Sequence, residues 1–124
     1  MQNEPPISIA LTPRFKRDLR DLAKRYRSIR IDLQPLIEQL QAGETPGDRV
    51  SGTACQIFKV RLKNSNIQKG KSAGYRVIYY VKTEKEIILA TLYSKSDSSD
   101  VSNEVIEAAI AQYEQDQAAD NSDS

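Results

Sequence analysis

Hydrophobic positions change their period several times along the chain. Residues 7–12 alternate weakly and predict a short strand. Thr12-Pro13 then supplies a helix start, a hydroxyl cap followed by a proline whose missing N–H does no harm there. Phe15, Leu19, Leu22, Ala23 and Tyr26 recur at helical spacing, with Lys16, Arg17, Arg20, Lys24 and Arg27 on the opposite face. Leu33, Leu36, Ile37 and Leu40 form the stripe of a second helix over residues 31–41, with Gly43 as its terminator. Only a few residues separate the two, which predicts an antiparallel helical hairpin.

Gly43, Pro46, Gly47 and Gly52 mark residues 42–54 as a loop. Residues 57–63 alternate cleanly, Phe58, Val60 and Leu62 on one face against Lys59, Arg61 and Lys63 on the other. That is a half-buried strand with a cationic outer face. Residues 64–74 read as a flexible basic loop. Residues 75–82 are β-formers on both faces and read as a central strand, joined by a turn at 83–86 to another strand at 87–93. Ser102 caps a last helix carrying Val105, Ile106, Ala109, Ile110 and Tyr113. The order β-α-α-β-β-β-α predicts an α+β fold, a helical hairpin packed on one face of a small, mainly antiparallel sheet, with a C-terminal helix. The other sheet face is expected to stay open and basic. One domain spans 7–115; residues 1–6 form an N-terminal extension and the acidic segment 116–124 is expected to be disordered.

Composition narrows the chemistry. No window approaches ~18 consecutive apolar residues and residues 1–6 carry no leader pattern, so a cytoplasmic protein without a membrane span is expected. Cys55 is the one cysteine and has no partner in the chain for a disulfide; no histidine is present. The carboxylates show no pair at metal-ligand spacing, so neither a metal nor another cofactor is expected. Any chemistry falls to Lys, Arg, Tyr or carboxylates. The net charge of +1 conceals a split: residues 1–96 hold all 18 bases and nine acids, a net +9, whereas residues 97–124 hold eight acids and no base. Such asymmetry points to an anionic partner for the body, or to a solvated surface with a solubilising tail.

Arg49, Lys59, Arg61, Lys63, Lys69, Lys71, Arg76 and Lys82 occur in a stretch without a single Asp or Glu. Cations on alternate strand positions stand roughly 6.5–7 Å apart on one side. They repel unless a polyanion such as a nucleic-acid backbone neutralises them. The same row also suits an edge strand that resists aggregation. Gly70-Lys71-Ser72 is not the end of a P-loop, because Ser65 stands where the first glycine belongs and a strand follows. Alternation places Tyr80 on the face of Arg76, where it either stacks on a base or belongs to the core. Tyr93, followed by Ser94 and Lys95, is a phenol beside cations, a setting that favours its anion and proton transfer.

The blocks Phe58-Lys59-Val60-Arg61-Leu62, Gly70-Lys71-Ser72-Ala73-Gly74-Tyr75-Arg76-Val77-Ile78-Tyr79-Tyr80 and Leu92-Tyr93-Ser94-Lys95 resemble the RelE/ParE toxin superfamily, and most of all its HigB-like branch, over residues 8–112. The resemblance implies the toxin of a type II toxin–antitoxin pair: a ribosome-dependent mRNA endonuclease, or mRNA interferase, that works without metal. The ribose 2′-hydroxyl attacks the adjacent phosphate and leaves a cyclic phosphate. By position, the resemblance implies Lys59, Arg61, Arg76 and Tyr93 as catalytic residues. Lys63, Lys69, Lys71, Tyr80, Lys82 and Lys95 complete the expected RNA-binding set. Lys59 and Tyr93 are the candidates for the base. The implied partners are a cognate antitoxin protein, the ribosome and mRNA. Ala73 replaces a usual glycine, Ser102 stands where relatives can carry a tyrosine, and the histidine some relatives use is absent. A ParE-like gyrase poison and a non-toxic family member are the competing readings.

Overall fold

The computed structural model describes residues 7–53, 55–67, 74–97 and 100–122. Among them the elements run β1 (Ser8–Leu11), α1 (Pro13–Ala23), α2 (Ile29–Gln41), β2 (Asp48–Arg49), β3 (Ile57–Leu62), β4 (Tyr75–Thr83), β5 (Glu86–Ser94) and α3 (Asn103–Ser122). The strands form one five-stranded sheet in the order β1-β5-β4-β3-β2. β1 runs parallel to β5, and the remaining pairs are antiparallel. This is the α+β fold that the periodicity predicts, with one strand more. The addition is β2, two residues inside the expected 42–54 loop, where Asp48 faces Lys59 and Arg49 faces Phe58. Gly47 permits this approach: its φ is +96° and a Cβ there would stand 2.4 Å from the Lys59 carbonyl oxygen. The Tyr79 hydroxyl donates to the Pro46 carbonyl, and its ring stacks on Phe58 at 5.4 Å, which pins the same loop.

The helical hairpin covers one face. Val60, Tyr75, Val77, Tyr79, Leu89 and Leu92 project toward Phe15, Leu22, Ile29, Leu33, Leu36 and Leu40 of α1 and α2. Thr12 joins the two layers. Its hydroxyl oxygen accepts from the Phe15 N–H at 2.9 Å, capping α1, and its proton goes to the Ala90 carbonyl of β5 at 2.7 Å. β1 pairs with β5 only as far as Leu89. Beyond that point α1 takes over the strand edge, where the Asp18 carboxylate accepts the Leu92 N–H at 3.2 Å.

The second face differs from expectation. Ile57, Ile78, Ala90 and Tyr93 make a second apolar cluster with Ile106 and Ile110 of α3, bordered by Val50, Cys55, Tyr80 and Val101. The face is therefore not open: α3 covers much of it. The physical reason lies in β4, a central strand with apolar side chains on both sides, so that Ile78 also needs cover. Ser102 caps α3 by accepting from the Val105 N–H at 3.3 Å. The helix then continues through Ser122, into the segment for which the polar composition predicts disorder. Gln117, Ala118 and Ala119 are good helix formers, and residues 116–122 contain no Gly or Pro to end the helix.

Candidate functional site

Strand register assembles the site. Arg61 of β3 lies directly opposite Arg76 of β4, and Arg76 lies directly opposite Tyr93 of β5. Adjacent strands are about 4.8 Å apart, so these three side chains form a row roughly 10 Å across. Lys59 stands two residues back along β3 on the same face. The row grades from exposed to buried: Arg61 is exposed and Lys59 half-buried, whereas Arg76 is 6% and Tyr93 8% exposed. Arg76 Nη1 donates to the Tyr75 carbonyl at 3.3 Å, which fixes one edge of its guanidinium.

A residue that sequence reasoning missed lies over this row. One oxygen of Asp100, between β5 and α3, accepts from Lys59 Nζ at 3.3 Å, from the Tyr93 hydroxyl at 3.1 Å and from the Val101 N–H at 2.8 Å. The carboxylate thereby links β3 to β5 across β4. The Val101 N–H, then donation by Lys59 and Tyr93, holds its carboxyl below the ordinary aspartate range. Only an unremarkable acid in a Ser/Asp stretch marked it, 41 residues from Lys59.

Tyr93 requires a correction. Its setting among cations predicts a favoured phenolate, but burial pushes the phenol up to about 12, with the Asp100 charge and hydrogen bond adding and Arg76 opposing. At neutral pH it is a proton donor.

The remaining predicted residues spread out. Lys63 is exposed just past β3 and, with Arg61, borders a groove against Ile31 and Pro35 of α2. Lys95 is exposed beyond β5; its N–H bonds the Gly74 carbonyl at 2.9 Å, which puts it at the Arg76–Tyr93 end of the sheet. Lys82 lies at the opposite end of β4, roughly 20 Å from Arg76 along the strand. It pairs with Glu114 at 3.4 Å. Tyr80 is half-buried in the α3 cluster, so its ring is engaged in packing and does not stand on an open platform. Lys69 and Lys71 lie outside the described residues. The entry to their loop is anchored where flexibility was expected. Asp32 accepts from the Ser65 N–H at 3.0 Å, and Asn66 Oδ1 accepts from the Ser28 N–H at 3.0 Å. At the exit, a Cβ on Gly74 would stand 2.0 Å from the Leu62 carbonyl oxygen, so β4 needs glycine there to meet β3. Among the described residues no group of three His, Cys, Asp or Glu side chains could hold a metal ion, and no helix is long and apolar enough to cross a membrane.

A hairpin-covered sheet with a cationic row under a C-terminal helix defines the class of this protein as a small α+β domain with a candidate anion-binding face. The fold is similar to that of the E. coli toxin RelE, in a double arginine-to-alanine mutant in the free state. The likeness has a TM-score of 0.54 at 19% identity and covers 87% of this chain and 98% of that one. Residues 9–98 match the family model for the ParE toxin of the type II toxin–antitoxin system, parDE. The chain belongs to that family, within the RelE/ParE superfamily, and its implied protein partner is a cognate antitoxin. No curated protein matches it.

Proposed function

We propose that this toxin is a ribosome-dependent mRNA endonuclease of the HigB-like kind that acts in the cytoplasm and stops translation. The observation that carries the reading is the convergence of Lys59, Arg61, Arg76 and Tyr93 on one sheet face. The nucleophile is the RNA's own 2′-oxygen, so no activated water is required. It bonds to phosphorus, the P–O5′ bond breaks, and a 2′,3′-cyclic phosphate and a 5′-hydroxyl result. Negative charge on the phosphoryl oxygens is greatest in the transition state, where preplaced guanidinium and ammonium groups stabilise it most. The exposed Arg61 grips two oxygens through its planar fork, Lys59 adds a point charge, and Arg76 adds its positive charge from beneath the row. Tyr93, held neutral by burial, delivers its proton to the departing 5′-oxygen. The 2′-hydroxyl proton passes to water, and Tyr93 is reprotonated from solvent.

The family model itself favours a second reading, a ParE-like inhibitor of DNA gyrase. Inducing the toxin in growing cells and mapping mRNA 5′ ends by primer extension separates the two. Discrete cuts inside translated frames support the nuclease. DNA damage with intact messages supports the gyrase inhibitor, and unimpaired growth identifies a non-catalytic member.

A further inference from the structure

Five ion pairs occur among the described residues, and they sort into two kinds. Arg14–Asp18 and Arg20–Asp21 are local to α1. The other three, Arg25–Asp97, Lys59–Asp100 and Lys82–Glu114, each join a cation of the basic body to an acid of the C-terminal segment. The two parts of the charge split thus meet in the fold. Asp97 and Glu114 hold the segment at either end of the sheet, and Asp100 reaches the row between them. The oxygen of Asp100 gathers an ammonium, a phenol and a backbone N–H, the donor set a phosphate oxygen would take in the same place. Its side chain is nonetheless 61% exposed, so a stronger anion can displace it without breaking the core.

We infer that the acidic C-terminal segment is an internal competitor for the nucleic-acid face, with Asp100 seated as a surrogate phosphate that RNA must displace. This rests on the reading of that face as an RNA site. α3 stays packed through Ile106 and Ile110 while the Asp100 side chain swings away. The device lowers the affinity of the free toxin for stray RNA. It leaves full grip to a substrate that delivers several phosphates at once.

The test is fluorescence anisotropy of a labelled single-stranded RNA oligonucleotide with the full chain at low salt. Asp100→Asn is expected to bind about 5-fold more tightly than the wild type, since one exposed ion pair is removed from the competition. The triple variant Asp97→Asn, Asp100→Asn, Glu114→Gln is expected to gain about 10-fold or more. A control triple, Glu104→Gln, Glu107→Gln, Asp116→Asn, makes the same change in net charge at acids outside those pairs. It is expected to gain no more than about 3-fold through the general field. Equal gains in the two triples, or no gain in Asp100→Asn, overturn the inference while leaving the RNA site standing. No binding by any of the proteins overturns the RNA site and the inference with it. Asp100→Asn, at an exposed position, keeps the test decisive if the triple variant fails to fold.

Discussion

Thr12→Val removes one hydroxyl and keeps the side-chain shape, at a residue that is 0% exposed. The backbone there is extended, φ −71° and ψ 159°, which valine adopts without strain. Two hydrogen bonds are lost. The cap from Phe15 N–H, 2.9 Å long, contributes about 0.5–2 kcal/mol. The bond to the Ala90 carbonyl, 2.7 Å long, leaves a buried acceptor unsatisfied when it goes, at about 1–3 kcal/mol. Ala90 is the residue skipped where the β4–β5 register shifts, so the hydroxyl holds an irregular point of the strand. The combined loss expected for Thr12→Val is about 2–4 kcal/mol. Thr12→Ser keeps both bonds and gives up one methyl, about 0.8 kcal/mol. Urea unfolding followed by circular dichroism measures both variants. Equal stability of the valine and serine proteins would refute the claim that this hydroxyl joins α1 to the sheet.

Gly74→Ala is expected to cost about 2 kcal/mol or more, because its Cβ meets the Leu62 carbonyl oxygen at 2.0 Å. Gly43→Ala, with φ +93° but open space around it, is expected to cost only about 1 kcal/mol in the same unfolding assay. Tyr93→Phe is expected to lower mRNA cleavage about 10²–10⁴-fold in a ribosome-loaded assay while the protein stays folded. Burial raises the phenols of Tyr75, Tyr79 and Tyr93 above their ordinary value of 10.0. The folded state therefore binds more protons than the unfolded chain above that pH, and stability falls as pH rises past it. Urea midpoints measured toward alkaline pH are expected to drop, less steeply for Tyr93→Phe.

Local signals carried much of this architecture. Thr12-Pro13 announced the α1 start because a cap and a helix-compatible proline act on their immediate neighbours. The strict alternation of Phe58 to Leu62 gave both the buried face and the cationic face of β3. Long-range features were not legible in the same way. The parallel pairing of β1 with β5 joins residues about eighty positions apart, and two residues of β2 are too few to show a period. The cover over the second face depended on matching Ile106 and Ile110 to Ile57 and Ile78 across the chain. A hint stood in the sequence, since β4 is apolar on both sides. The protonation state of Tyr93 is hidden from the sequence for a related reason. Its basic neighbours were visible in the sequence, but its burial and the approach of Asp100 arise only in the fold.

Cleavage by purified toxin on programmed ribosomes tests the central claim most directly. Arg61 is exposed, so Arg61→Ala removes one guanidinium of the row with little risk to the fold. The account predicts that wild-type toxin cuts the ribosome-bound message within its reading frame and leaves a 2′,3′-cyclic phosphate. It predicts that folded Arg61→Ala cuts at least about 100-fold more slowly. An uncut message with wild-type toxin, or unchanged cleavage by Arg61→Ala, would contradict it.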